Sequence, residues 1–201
     1  MTIMRKASTH SRAAAKEASH ERIVQAAARA IRRSGYDGTG VADIMKDAGL
    51  THGAFYAHFD SREAMLAEAA DRAGAEANAV AAQVIASVPP EQSLQALMQA
   101  YLSKEHLVSI DTGCPVSALC SEMPRQSPEV RRAATRRIKE MVDLVARQSP
   151  DWGQPAAHER ALATVATMVG TLVLARAVND EALSEAFCGA ALSSLGASSR
   201  A

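Results

Sequence analysis

Alanine is spread along the whole chain: 43 of the 201 residues are alanine, whereas glycine contributes 11 and proline 7. Alanine is the strongest helix former, and the aromatic residues that favour strands make up only 3% of the sequence. The apolar fraction of 48% is sufficient to bury a packed core in a chain of this length. We therefore predict an all-α protein with one domain or two small ones.

Apolar residues recur three and four positions apart in successive segments that end at glycine, serine or proline. This spacing predicts helices at about residues 17–34, 41–48, 51–59, 61–88, 94–102, 116–121, 128–148, 156–177 and 181–195. The segments have no internal repeat, and no low-complexity linker separates them. We expect one continuous helical protein.

The formal charges balance over the whole chain but are unevenly distributed. Residues 1–33 contain eight basic and two acidic residues, a net charge of +6, whereas residues 61–201 contain 13 basic and 16 acidic residues, a net charge of −3. A basic end on a nearly neutral body indicates a polyanionic partner such as nucleic acid. A solvated helix face explains the same charges equally well.

The uncharged segments and the cysteines indicate a cytoplasmic protein. The longest uncharged run, residues 161–175, is shorter than the roughly 20 apolar residues that a bilayer span requires. The N-terminus lacks the apolar segment of a secretory signal, and three sparse cysteines do not form a disulfide framework. We expect neither a membrane segment nor disulfide bonds.

Residues 35–59 have the pattern of a helix-turn-helix. Gly49 permits a sharp turn between two short helices, and Phe55 and Phe59 lie four positions apart, so that both rings share one face. If these rings pack on the preceding helix, the opposite face can donate hydrogen bonds to phosphates and base edges. That outward face carries Thr51, His52, Ala54, Tyr56 and His58. A three-helix subdomain without DNA contacts is the alternative.

The sequence GYDGTGVADIMKDAGLTHGAFYAHFDSREAM at residues 35–65 resembles the DNA-binding region of the TetR family of bacterial repressors. The resemblance extends over about residues 20–66. It implies base or nearby phosphate contacts for Thr51, His52, Ala54 and Tyr56, and DNA backbone contacts for Tyr56, His58, Lys46 and Arg62. Gly40 departs from the family, which usually has a helix-capping Ser or Thr there, and His52 replaces a common lysine.

The same resemblance implies nine helices, a homodimer formed by the last two helices, a palindromic operator and a ligand pocket in the C-terminal part. We expect a basic flexible arm at residues 1–16, the DNA-binding domain at 17–60, an effector-binding and dimerisation domain at 61–195 and a disordered tail at 196–201. The apolar segment 161–175, with small Ala166 and Gly170, supports the dimer independently. A central helix of a monomeric core would have the same composition.

The C-terminal part contains few aromatic residues, so flexible apolar side chains would have to line any pocket. We expect a small apolar, neutral or weakly polar effector. The expected lining residues are Leu97, Met98, Tyr101, Cys114, Met123, Met141 and Met168. Simple core packing is the alternative for each methionine.

Cys114 lies between Gly113 and Pro115, before a short predicted helix whose N-terminus could activate the thiol. The alternative function is therefore a thiol-based redox or electrophile sensor, or a thiol enzyme, that uses Cys114. The sequence has no metal-ligand spacing, phosphate-binding glycine loop or nucleophile elbow. We expect a DNA-binding regulator without enzymatic activity or cofactor; an architectural DNA binder without effector is a third possibility.

Overall fold

A computed structural model describes the backbone of residues 3–198 and the side chains of residues 12–196. This part of the chain contains nine α-helices, three short 3₁₀ helices and no β-strand, which confirms the all-α prediction. The α-helices are α1 (Ile3–Ser34), α2 (Val41–Asp47), α3 (Arg62–Ala86), α4 (Ser93–Tyr101), α5 (Lys104–Val108), α6 (Pro115–Leu119), α7 (Pro128–Ala146), α8 (Pro155–Ala177) and α9 (Glu181–Ser198). The 3₁₀ helices are His52–Ala57, Pro90–Gln92 and Met123–Arg125.

Four elements differ from the sequence prediction. Helix α1 begins at Ile3 rather than near residue 17, because the alanine-rich segment before residue 17 continues the helix. The segment His52–Ala57 forms a 3₁₀ helix rather than an α-helix, and the short helix α5 was not predicted. Helix α9 extends to Ser198, and residues 1–2 and 199–201 of the expected arm and tail lie outside the described part of the chain.

Serine side chains cap two of the longest helices, as their sequence positions indicate. The Ser61 hydroxyl accepts a hydrogen bond from the Ala64 N–H at 3.0 Å at the start of α3. The Ser127 hydroxyl accepts one from the Val130 N–H at 3.4 Å at the start of α7. Each bond satisfies a backbone donor that has no partner within its own helix.

The buried side chains form two cores. The first core lies among α1, α2, the His52–Ala57 helix and the N-terminal half of α3, with contributions from α6 and α7. The second core lies among α4, α7, α8 and α9. Helix α3 contributes buried residues such as Met65 and Leu66 to the first core, and Ala81 and Ile85 pack against the second. The first core therefore continues beyond residue 60, the predicted end of the DNA-binding domain.

Ion pairs fix α3 against its neighbours. Arg72 binds Glu21 on α1 through two nitrogens, and Asp71 accepts hydrogen bonds from Arg137 on α7 at 2.6 and 2.7 Å. Burial raises the pKa of Asp71, but the hydrogen bonds from Arg137 and Arg136 outweigh it and hold this pKa below its ordinary value. Helix α3 is thus bound on both sides where it passes between the two cores.

Candidate nucleic-acid interface and internal cavity

A tight turn joins α2 to the His52–Ala57 helix. Gly49 has a positive φ of 70°, a conformation that favours glycine, and its N–H donates to the Lys46 carbonyl at 2.9 Å. The Leu50 N–H donates to the Met45 carbonyl at 2.8 Å. These bonds close the C-terminus of α2 and set the direction of the next helix, as the sequence predicts for a helix-turn-helix.

Two phenylalanines anchor the second helix of this motif. Phe55 and Phe59 are buried in the first core, with stacked rings whose planes are inclined by 25° and whose centroids are 5.6 Å apart. The His20 ring of α1 stacks on Phe59 at 4.6 Å. The prediction that both rings pack towards the first helix is therefore confirmed.

The opposite side of the motif is exposed. Tyr56 retains 73% of its accessible surface, and Lys46, Thr51 and His52 are also exposed. Thr51 precedes the 3₁₀ helix, and its side chain makes no capping hydrogen bond. Thr51, His52 and Tyr56 are thus accessible within one short segment of the motif.

Two residues that were expected on the outward face are placed differently. Ala54 is half-buried and packs against the first core. His58 is also half-buried, with its ring centroid 5.9 Å from that of His20. Burial is the main cause that lowers the pKa of His58, and the neighbouring His20 and Lys16 lower it further. The lowered pKa favours a neutral His58 ring.

Arg62 has an intramolecular role that the sequence did not reveal. Its guanidinium donates to the carbonyl of Tyr36 and, at 3.2 Å, to the carbonyl of Thr39. The side chain therefore joins the start of α3 to the loop before α2. Both bonds come from Nη2, so the DNA backbone contact that the family resemblance implied for Arg62 stays a prediction.

Tyr36 connects the motif to the rest of the molecule. Its N–H donates to Glu122 Oε2 at 2.8 Å, just after helix α6. Gly35 has a φ of 74°, and a Cβ at this position would lie 2.4 Å from Glu122 Oε1. This close approach explains the glycine and fixes the turn after α6 against the loop that leads into α2.

A cavity of about 370 Å³ lies beside the second core, between α3, α4, α7, α8 and the segment 103–114. Five of the seven predicted pocket residues line it, namely Leu97, Tyr101, Cys114, Met141 and Met168. The other two do not. Met98 is buried in the second core, and Met123 lines a separate void of about 30 Å³ beside Tyr36. The two cavities share the side chains of Ala77, Asn78, Cys114 and Met141 as a common wall.

His106 and Arg176 hold the segment that closes the cavity, and the sequence analysis missed both. His106 Nε2 accepts a hydrogen bond from the Cys114 N–H at 3.0 Å, so Nδ1 carries the proton and donates to the Tyr101 carbonyl at 2.7 Å. Arg176 donates to the His106 carbonyl at 2.6 Å and the Leu107 carbonyl at 3.0 Å. A signal for Arg176 was present, since it directly follows the longest uncharged run.

The cysteines occupy three different environments. Cys114 is buried in the wall between the two cavities, Cys120 is exposed and Cys188 is half-buried on α9. Within the described residues, no three potential metal-ligating side chains come together. Cys114 is the one thiol of this part of the chain that lines the large cavity.

Helices α8 and α9 expose large apolar side chains. Leu162, Val173 and Leu174 on α8 and Leu183 on α9 each retain between 41% and 50% of their accessible surface. A Cβ at Gly170 of α8 would meet no atom within 4 Å. By length and composition α8 could also cross a membrane, but the same properties are typical of helices buried in cores and interfaces.

Comparisons with known proteins agree with this geometry. Residues 23–69 match the family model of bacterial regulatory proteins of the tetR family, and residues 90–186 match the C-terminal domain of LmrA/YxaF-like transcriptional regulators. An uncharacterised HTH-type transcriptional regulator of Mycobacterium tuberculosis is 33% identical over 171 residues, which cover 80% of this chain and 85% of the relative.

Two further proteins extend the comparison. The HTH-type transcriptional regulator LmrA of Bacillus subtilis is 29% identical over 128 residues, which cover 63% of this chain and 68% of LmrA. The crystal structure of reduced NemR from E. coli superposes with a TM-score of 0.74 at 19% identity and covers 88% of this chain and 94% of NemR. The chain belongs to the TetR family of bacterial transcriptional regulators.

Proposed function

We propose that this DNA-binding regulator is a dimeric repressor that releases a palindromic operator when a small, mainly apolar molecule binds in the 370 Å³ cavity. One observation carries the proposal. The segment from Cys114 to Glu122 lines the cavity at one end and holds the Tyr36 N–H of the DNA-binding motif at the other. A ligand that moves this segment therefore acts directly on the motif.

The exposed face of the motif supports the proposed DNA contacts. Thr51, His52 and Tyr56 enter the major groove, where hydroxyl and imidazole groups can bind base edges and phosphates. Lys46, exposed in the last turn of α2, neutralises a phosphate. Ala54 and His58 support the motif from its half-buried side, and Arg62 positions it through the backbone carbonyls.

The apolar surface of α8 and α9 forms the dimer. The exposed leucines and valine there would be covered by the same surface of a second copy, which gives a closed two-fold dimer. Two motifs related by this symmetry would contact a palindrome. Its half-sites would be separated by at least one turn of the DNA helix, roughly 34 Å. Such a regulator acts in the cytoplasm, as a binding protein rather than an enzyme.

Operator release follows from linkage. A ligand releases DNA only if it binds more tightly to the conformation that binds operator weakly, and the two affinities are then reciprocally coupled. Helix α3 begins at Arg62, which binds the loop before α2, and the same helix lines the cavity at Ala77 and Val84. It therefore provides a second connection between the cavity and the motif. A small displacement of either connection would change the separation of the two motifs in the dimer.

In vitro selection of operator sequences from random DNA tests the proposal. The full chain should enrich a palindrome, and His52→Ala should weaken binding to it in fluorescence anisotropy. His158→Ala, which removes an exposed histidine on α8, is the matched control and should bind like the wild type. Enrichment of no common sequence would instead favour the architectural DNA binder.

The thiol alternative has one specific observation in its favour, because Cys114 lines the cavity and an electrophile bound there would be close to the thiol. Cys114→Ser separates the two triggers. If the variant still releases operator when an uncharged compound binds, the cavity is the sensor. If wild type responds to peroxide or an electrophile and the variant responds to nothing, Cys114 is the sensor.

A further inference from the structure

Five of the nine large hydrophobic side chains that are exposed in the described part of the chain belong to three segments. Val173 and Leu174 lie near the end of α8, and Leu183 lies in the first turn of α9. Val108 and Ile110 lie in residues 103–114, the wall segment that closes the cavity. Exposed apolar side chains that cluster on a soluble protein indicate an interaction surface.

Side-chain bonds join the wall segment to α8 and α9. Lys104 Nζ lies 2.6 Å from Glu185 Oε1 and 3.3 Å from Glu181 Oε1, both at the start of α9. Near the end of α8, the Arg176 guanidinium donates to the Leu107 carbonyl at 3.0 Å. The wall segment is therefore bonded to both helices of the proposed dimer, at the end of the pair where α8 leads into α9.

The apolar side chains of the wall segment are not needed to hold it in place. Besides the bonds to α8 and α9, the Asp111 carbonyl accepts a hydrogen bond from Arg32 of α1 at 3.2 Å. Val108 nevertheless retains 76% of its accessible surface and Ile110 retains 48%. The segment is thus fixed through its backbone and Lys104, while two large apolar side chains stay accessible in the single copy.

The other side of the wall segment faces the cavity. Ser103, His106, Ser109 and Gly113 line the cavity of about 370 Å³, whereas Val108 and Ile110 do not. The wall segment therefore separates the cavity from an exposed apolar surface.

We infer that a second copy of the chain covers Val108 and Ile110 and so forms the outer layer of the cavity wall. The inference rests on the proposed function, since it extends the α8–α9 dimer to the wall segment. A second copy fits this surface because the two side chains adjoin the apolar ends of α8 and α9 that the dimer would cover. A ligand that displaces the wall would then also act on the partner, and ligand affinity and dimer affinity would be linked.

Val108→Lys in the full-length chain tests the inference by sedimentation equilibrium. Burial of the lysine charge against the second copy should raise the dimer dissociation constant about tenfold or more. Because Val108 is exposed in the single copy, the far-UV circular dichroism spectrum should not change. Ala79→Lys is the matched control, since this exposed position on α3 lines neither cavity, and it should dimerise like the wild type.

Photocrosslinking tests the contact directly. With p-benzoylphenylalanine in place of Val108, irradiation of the full-length protein should give a covalent dimer on a denaturing gel. The same label in place of Ala79 should give none. Gly170→Arg, combined with the label at position 108, should abolish the covalent dimer, because it disrupts the α8 surface on which the proposed dimer depends.

Three outcomes would overturn the inference. The first is an unchanged dimer dissociation constant in Val108→Lys, and the second is the absence of a covalent dimer from the label at position 108. The third is binding of the wild type, but not of Val108→Lys, to phosphatidylcholine–phosphatidylglycerol vesicles, which would assign the two side chains to a membrane surface.

The proposed dimer fails in a different way. If the wild type is a monomer at micromolar concentration, the dimeric repressor is wrong and the inference fails with it. If Gly170→Arg dissociates the dimer and Val108→Lys does not, the α8–α9 dimer stands and only the inference is wrong.

Discussion

The two cores differ in how completely they are packed. Of the eleven largest side chains with less than 2% exposure, nine belong to the first core, and only Met168 and Leu172 belong to the second. The first core contains the stacked Phe55 and Phe59, whereas the second borders the 370 Å³ cavity. The DNA-binding half is therefore built to hold one shape, and the other half has space for a ligand.

The same difference appears in the polar contacts. In the first half, Arg62 and Glu122 bind the backbone of the loop around Tyr36, which positions the motif. In the second half, Arg176 and His106 bind the backbone of the cavity wall. Charged and polar side chains thus hold the loop that leads into the motif in one half and the wall of the cavity in the other.

Matched leucine truncations test the packing difference and should have the largest effects. Leu66→Ala removes a side chain that is 1% exposed in the first core, and we expect a loss of about 3–5 kcal/mol in the free energy of unfolding. Leu97→Ala acts beside a cavity that already exists, and we expect about 2 kcal/mol, the low end for such truncations. Urea unfolding followed by circular dichroism measures both; equal losses would contradict the comparison.

The second prediction concerns the exposed apolar surface of α8 and α9, which we expect a second copy of the chain to cover. Gly170→Arg places a charge on the apolar α8 surface, where no atom beyond the adjacent residues and the nearby backbone of α8 lies within 4 Å of the new Cβ. Burial of that charge in the dimer interface of α8 and α9 should weaken dimerisation by about 3 kcal/mol and leave the fold of the monomer intact. Light scattering at micromolar concentration should show monomers for the variant and dimers for both the wild type and His158→Arg, an exposed control on α8.

Helical periodicity allowed much of this fold to be predicted from sequence, because it reports local conformation and one buried face. The helix-turn-helix, the inward Phe55 and Phe59 and most helix boundaries follow from spacing and terminal residues. The role of Arg62 does not, since its partners Tyr36 and Thr39 precede it by 26 and 23 residues and present only backbone carbonyls.

The lining of the cavity also could not be predicted fully from sequence. Side-chain type suggested Met98 and Met123 as pocket residues, but it could not distinguish a residue of the second core or of the void beside Tyr36 from one that lines the large cavity. The link from Arg176 to His106 spans 70 positions in sequence. Only tertiary structure brings these groups together.

The third prediction concerns DNA affinity. Tyr56→Phe and His52→Ala each remove a hydrogen-bonding group from the exposed face, and we expect each to weaken operator binding by about 1–3 kcal/mol. The free energy of unfolding should stay the same, because neither side chain belongs to the first core. Fluorescence anisotropy with the selected operator measures the effect; unchanged affinity in both variants would contradict the placement of this face.

Variants of Lys46 and Arg62 distinguish a residue that contacts DNA from one that holds the motif in place. Lys46→Ala should reduce the slope of log affinity against log salt by about one, as expected for the loss of one phosphate contact. Arg62→Ala should leave that slope unchanged and lower the stability of the protein, because its guanidinium bonds join α3 to the loop before α2. A lower slope for Arg62→Ala would instead support the DNA backbone contact that the family resemblance implied.

The smallest expected effect is the pH dependence of the cavity wall. Burial and the positive charge of Arg176 outweigh the hydrogen bond to the Tyr101 carbonyl and lower the pKa of His106. Above the unfolded pKa of about 6.5, His106 is neutral in both states, whereas just below it only the unfolded chain takes up the proton. Stability is therefore present above about pH 6.5 and is lost as the pH falls through the lower folded pKa. Protonation of Nε2 would also remove the acceptor for the Cys114 N–H.

Between pH 7 and pH 5, we expect the free energy of unfolding of His106→Gln to fall by about 1 kcal/mol less than that of the wild type. Urea unfolding monitored by Trp152 fluorescence measures this difference. His158→Gln, at an exposed position, should follow the wild type, and equal losses in all three proteins would show that His106 does not set this dependence.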